Sequence, residues 1–200
     1  MDRELKRWEI ALLVGLLVTM TAGIWLEREQ EKLADRVIRL HVIANSDSRE
    51  DQDLKLAVRD RILEQAQSIY PEGATREQAR DALKEHLEEL ARVGKSVVEE
   101  QEMDYNVTAR LEECWFPTKE YEAFSLPAGE YTALRVIIGA GEGANWWCVA
   151  FPPLCLGAAM PDEAAEAFTP EQVALISGAN GYVLKFKGME LLGHLKGLFA

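Results

Sequence analysis

Basic residues are scarce in this 200-residue chain: 22 Lys and Arg stand against 34 Asp and Glu, for a net charge of −12. No cluster of them offers a footprint for a phosphate backbone, which excludes nucleic-acid binding as a class. Histidine occurs three times, at His41, His86 and His194, and never at a metal-ligand spacing. Seven prolines and 14 glycines without a period exclude collagen-like and low-complexity chains. There is no Ser-centred nucleophile elbow and no pair of catalytic carboxylates, so no catalytic residue, cofactor, metal or small-molecule substrate is expected. What remains, at 48% hydrophobic and 8% aromatic, is an ordinary globular chain with enough apolar surface for one main core.

A single long apolar stretch, the 17 residues Ile10 to Leu26, follows Arg3, Lys6 and Arg7. Its length falls between the roughly 7–15 apolar residues of a signal-peptide core and the about 20 of a membrane-spanning helix. Thr21 and Gly23 suit cleavage after Gly23, whereas Ile24-Trp25-Leu26 suits an interfacial anchor. Residues 1–26 are thus expected to be a signal peptide or a membrane anchor, and in either case to interact with membrane and direct export. Residues 27–36 read as a linker. Outside the cytoplasm a close pair of thiols oxidises, and Cys148 and Cys155 enclose a segment bent by Pro152-Pro153. A Cys148–Cys155 disulfide would stabilise by roughly 2–3 kcal/mol in the chain-entropy model, enough to organise one loop. Cys114 is left over, as a small buried hydrophobe or as a competing disulfide partner.

Val37 to Ala44 alternates as a strand does, with Ile38, Leu40 and Val42 on one face and Arg39, His41 and Ile43 on the other. Asn45-Ser46-Asp47-Ser48 is a turn, and Ser48 with Asp51 resembles a capping box opening a helix from about Arg49 to Ser68. A second capping signature, Thr75 with Gln78, opens a longer helix to about Glu102, striped by Ala79, Leu83, Leu87, Leu90, Gly94 and Val97. From Tyr105 the period changes to 2. Tyr105 to Leu111 predicts a strand, and Tyr131 to Ile138 with Asn145 to Phe151 predicts a hairpin around Gly139-Ala-Gly141-Glu-Gly143. Beyond Cys155, residues 156–200 read as an extension: an acidic linker to Phe168, a short helix from Thr169 to about Ser177, a strand from Tyr182 to Phe186 and an amphipathic helix from Met189.

The glycine loop lacks the following helix N-terminus that phosphate binding needs, so a turn is expected. Asp47, Asp51 and Asp53 lack an EF-hand pattern, with Arg49 at a ligand position and Gln52 where glycine is required. If Trp147, Val149 and Phe151 face the core, Trp146 faces outward beside Cys148. Should the strands pair in register, Arg39, His41, Arg110 and Arg135 would gather on the opposite sheet face as a locally basic surface. The competing functional class is an exported cell-envelope hydrolase with a Cys148/His41 site.

The string Arg39-Leu-His-Val-Ile-Ala-Asn-Ser-Asp-Ser48, followed by Asp51-Gln-Asp-Leu-Lys55 and Val58-Arg59-Asp60, resembles the stage II sporulation protein R family. Phe116-Pro-Thr-Lys119 with Tyr121, Pro127-Ala-Gly-Glu-Tyr131 and Gly141-Glu-Gly-Ala-Asn-Trp-Trp-Cys-Val149 leading to Phe151-Pro-Pro-Leu-Cys155 are similar to its central motifs. The resemblance covers about Val37 to Cys155. It implies an intercellular signal of endospore formation, exported across the forespore membrane into the intermembrane space. There it would trigger a mother-cell membrane protease of the aspartic type that processes the sigma-E precursor. The combined expectation is one α+β domain over residues 37–155, in which an antiparallel or mixed sheet carries two long helices on one face. The expected partner contacts are Asn145, Trp146, Trp147, Phe116 and Tyr121.

Overall fold

The computed structural model describes residues 6–121 and 125–152; side chains are not described at 22–27, 29 and 30. Cys155, the second half of the expected disulfide, and the expected elements of residues 156–200 lie outside the described residues. The chain divides into two units, residues 1–33 and 34–200.

The first unit holds most of one helix, α1 (Arg7–Ala34). It runs on through most of the stretch read as a linker, since Glu27 to Ala34 offers no glycine or proline to stop it. Along it Trp8, Ile10, Leu12, Leu13, Val14, Leu16, Leu17, Val18 and Met20 are exposed. Among the described residues no helix is long and apolar enough to cross a membrane.

The second unit is α+β. A four-stranded mixed sheet in the order β2 (Val107–Phe116), β5 (Gly129–Ile138), β1 (Ile38–Ile43), β6 (Asn145–Phe151) carries helices on one face. Those helices are α2 (Arg49–Ile69), α3 (Arg76–Glu85) and α4 (Leu87–Glu100), and the core lies between them and the sheet. Leu54, Val58, Ile62 and Ala66 of α2, Ala79 and Leu83 of α3 and Leu90, Val97 and Val98 of α4 pack with Leu40, Val42, Leu134, Val136, Ile138, Cys148 and Ala150 of the sheet. The apolar stripes read at helical spacing are the residues that meet there. A two-stranded ribbon, β3 (Lys119–Glu120) with β4 (Ser125–Leu126), completes the architecture.

Three details depart from expectation. The long second helix is broken at His86, whose backbone (φ −106°, ψ 15°) ends α3 and starts α4, while its amide is shared between the carbonyls of Ala82 and Leu83. The expected β5–β6 hairpin does not form. β1 lies between the two strands, parallel to β5 and antiparallel to β6, so the glycine loop passes over the end of β1 instead of closing a turn. Periodicity reports the strands and not their neighbours, so this insertion could not be read from the alternation alone. Third, Ser48 caps α2 through the Asp51 amide, but the Asp51 side chain does not return the bond to Ser48. Its Oδ2 accepts from Asn45 Nδ2 (2.9 Å) and Ser46 Oγ (2.5 Å) instead.

That diversion is part of a polar clasp between the β1–α2 turn and the glycine loop. Asn45 Oδ1 accepts from the Ala140 amide, Asp47 Oδ1 from the Ala144 amide, and Lys55 Nζ donates to the Ala144 carbonyl and to Gln52 Oε1. Asp51 and Lys55 are buried. Burial alone would raise the Asp51 carboxyl, but hydrogen bonds from Ser46, Asn45 and Tyr105 outweigh it and hold the group below its ordinary range. The loop can approach because Gly139 and Gly141 take positive φ (58° and 67°). A Cβ on Gly143 would stand 2.2 Å from the Ser46 carbonyl oxygen, a backbone atom that cannot swing aside. Gly143→Ala is therefore expected to destabilise the chain by about 2–3 kcal/mol, at the upper end of small-to-large overpacking. Urea denaturation of the purified full-length chain measures this, and an unchanged midpoint would show that the loop does not hold this close approach.

Candidate partner-binding face

Strand register decides which side chains share a face. Arg135 stands opposite both His41 and Arg110, and Ala133 opposite Arg39 and Glu112. Across β6, His41 faces Trp147, Arg39 faces Val149 and Ile43 faces Asn145. The side of the sheet away from the helices thus carries Arg39, His41, Arg110 and Arg135 together, with Phe116, Asn145 and Trp147. Leu40 pairs with Cys148 and Val42 with Trp146, which puts Trp146 and Cys148 on the helix side.

One end of this face is closed and the other is open. At the closed end Arg39 is fully buried, as are Phe116, Tyr131 and Leu126. The guanidinium carbon lies 4.3 Å from the Phe116 ring centre and 5.0 Å from that of Tyr131. Arg39 Nε donates to the Cys148 carbonyl (3.1 Å) and Nη2 to the Tyr121 hydroxyl (3.1 Å). Tyr121 donates in turn to the Trp147 carbonyl (3.4 Å), and Tyr131 to the Pro127 carbonyl (2.7 Å). Burial raises the Tyr131 hydroxyl to about 12, and it raises Tyr121 too, so both stay protonated donors at neutral pH. Two desolvated cation–π contacts at about 2 kcal/mol each and two charge-assisted hydrogen bonds at about 1.5–3 kcal/mol each match the several kcal/mol that burying a guanidinium costs.

At the open end His41 is half-buried between aromatic rings, 6.0 Å from Phe116 and 5.9 Å from Trp147. Its Nε2–H donates to Asn145 Oδ1 at 2.7 Å. Desolvation holds its pKa below the ordinary 6.5, against the Asn145 bond that raises it; the nearby Arg135 charge lowers it further and Glu112 opposes. Arg110 and Asn145 are exposed, and Arg135 pairs with Glu112 at 2.9 Å.

Four of the five expected contact residues, Phe116, Tyr121, Asn145 and Trp147, come together around Arg39 and His41. Trp146 does not, and its expected outward orientation is reversed. It packs against the core with its ring 4.3 Å beneath the Arg59 guanidinium of α2. The parity was anchored on Trp147, Val149 and Phe151, but a register shift opposite Ile38 and Arg39 separates Phe151 from the other two. Phe151 does reach the helix side, edge-on to Tyr70 at 5.4 Å, while Trp147 and Val149 do not. The expected basic surface gathers on one face but is less uniform than its sequence reading, because Arg39 is buried and Arg135 already holds Glu112.

The same parity takes apart the proposed hydrolase site. Cys148 is buried among the helix-side core residues and His41 lies on the other side of the sheet, so the two cannot form a nucleophile–base pair. Cys114 is a free thiol, half-buried, with burial and the neighbouring Glu112 charge raising it to about 11, far from a reactive thiolate. Asp47 and Asp51 spend oxygens on the clasp, and among the described residues no group of His, Cys, Asp and Glu could hold a metal ion. The central part of Arg39 and the Asp47–Asp51–Lys55 clasp were missed as structural parts. The available signal was a charged residue set between Ile38 and Leu40 in an otherwise apolar strand.

Two measurements follow from this geometry. Trp146→Ala should cost about 3 kcal/mol of stability, the lower end for truncating a packed ring because Trp146 is half-buried, and Trp147→Ala less, since its ring lies at the open end; denaturation of both variants checks the order, and equal losses would contradict the assigned faces. For His41, the folded pKa lies below the unfolded one, so the unfolded state binds the proton first. Stability should fall as pH drops below about 6.5 toward the folded pKa, and His41→Gln should flatten that limb, read from melting temperature between pH 7.5 and 5.

Comparison with known proteins accounts for the long motif strings that build both the clasp and this face. The sequence model described as stage II sporulation protein R matches residues 34–160. The stage II sporulation protein R of Bacillus subtilis (strain 168) is 38% identical over 143 residues, which covers 72% of this chain and 63% of that protein, so the match spans less than two thirds of the relative. No solved structure matches the chain. Since the matched interval takes in more than half of the chain and every motif of the clasp and the face, this chain belongs to the stage II sporulation protein R family.

Proposed function

We propose that the chain is an exported signalling protein of endospore formation that activates a mother-cell membrane protease of the aspartic type, which then processes the sigma-E precursor. Family membership is the observation that carries this reading. In this reading the protein acts as a ligand and not as an enzyme. It crosses the forespore membrane into the intermembrane space, where residues 1–26 leave it released or anchored. A Cys148–Cys155 disulfide belongs to the same proposal, since the exported compartment favours it.

The geometry supplies a means. A rigid sheet presenting Asn145 and Trp147 at an open end, with Phe116 and Tyr121 packed beneath, has the aromatic composition of a protein interface centre. To activate the protease, the face must bind its active arrangement more tightly than its inactive one; equal affinity would shift nothing.

The test is precursor processing in cells that express the membrane protease and the sigma-factor precursor, with this chain either directed outside the membrane or retained inside. Processing only with the exported form is the expected result. Absence of processing with matched partners and verified export would overturn the reading.

A further inference from the structure

The partner-binding face carries donors that no described residue accepts, one from Arg39 at its closed end and one from Arg135 toward its open end. Arg39 Nη1 and Arg135 Nε are both buried and without a hydrogen-bond partner among the described residues. They stand on neighbouring strands, on either side of His41, whose strand position faces Arg135. Buried polar groups are nearly always paired, so two unaccepted guanidinium N–H groups on one face point to an acceptor that none of the described residues provides. Charge narrows its chemistry. Among the described strand residues, Arg39, Arg110 and Arg135 share the face with one carboxylate, Glu112, on a chain whose net charge is −12.

From these observations we propose that the open end of this face docks an acidic, carboxylate-bearing segment of the partner protein, with Arg135 as its principal anchor. Arg135 Nη1 already serves Glu112, which leaves the Nε–Nη2 edge for a second carboxylate, the edge that makes planar, two-bond recognition. The side chain is about one-third exposed, at 36%, so this edge can turn outward without unfolding anything. A protein segment fits better than a small free acid because Trp147 and Asn145 lie on the same face on β6, beyond His41 of the intervening β1, and extend the contact past one carboxylate. A negative segment is drawn to this face and repelled by the rest of the surface, which also sets its orientation. The proposal rests on the reading of the chain as a protein ligand.

Poly-L-glutamate is the probe, with sodium acetate at equal carboxylate concentration and poly-L-lysine as controls, each titrated into the full-length chain while the Arg135 Nε–H and Trp147 indole signals are followed by NMR. Saturable shifts of both signals with poly-L-glutamate alone are expected. Affinity should fall at least tenfold in Arg135→Gln and rise in Glu112→Gln, which removes the competing carboxylate; a purely structural role for Arg135 would not produce that rise. Arg110→Glu, which changes an exposed side chain, keeps the test usable if Arg135→Gln does not fold. Equal saturation by acetate, shifts confined to other surfaces, or no response would each overturn the proposal. In the processing assay, an active parent chain with an equally active Arg135→Gln overturns the docking surface alone. An inactive parent chain that still binds poly-L-glutamate at Arg135 overturns the signalling reading and leaves the docking surface standing.

Discussion

The buried Arg39 guanidinium organises the half of the molecule that the helices do not touch. A charge removed from water needs compensation, and here it comes from four separate segments: the Phe116 end of β2, Tyr121 just after β3, Tyr131 of β5 and the Cys148 carbonyl of β6. Because none of these groups is a carboxylate, no single pairing carries the cost, which is spread over all four. This explains why a two-residue-per-strand ribbon, too short to be stable alone, is held at a defined position. It also explains why the carbonyls of β6 at Trp147 and Cys148 are tied from the face where Trp147 is displayed.

A second constraint acts at the other end of β6. Both backbone groups of Ala144 are gripped by side chains from the β1–α2 turn, the amide by Asp47 and the carbonyl by Lys55. Asn145 is the next residue, and its side chain accepts from His41. The route from clasp to display is thus short and made of hydrogen bonds. With Arg39 fixing one end of the strand and the clasp fixing the other, the side chains between them are presented on a rigid element, which lowers the ordering cost of binding.

Much of the secondary structure was legible because it depends on near neighbours. Ser48 and Thr75 announced their helices through side-chain bonds to amides three residues on, and β6 alternates over the same residues that form it. What could not be read was pairing. The alternation of Trp146 and Trp147 says that they point to opposite sides but not which side the helices cover, and a register shift at one end inverted the choice. The break at His86 likewise left the apolar stripe intact on both sides, so nothing in the spacing marked it.

The sequence by itself determined the main strands, the capped starts of the helices, the acidity and, through long motif strings, the family. These are properties of composition or of residues close in the chain, where short-range sterics and hydrogen bonding dominate. Only the tertiary structure decided that β1 separates β5 from β6, that Arg39 is a core residue, and that Cys148 and His41 face apart. It also decided that Asp47, Asp51 and Lys55 work as one clasp with the glycine loop. Each of these depends on contacts between segments far apart in sequence, and such contacts are selected by the burial of the whole sheet and not by any local preference.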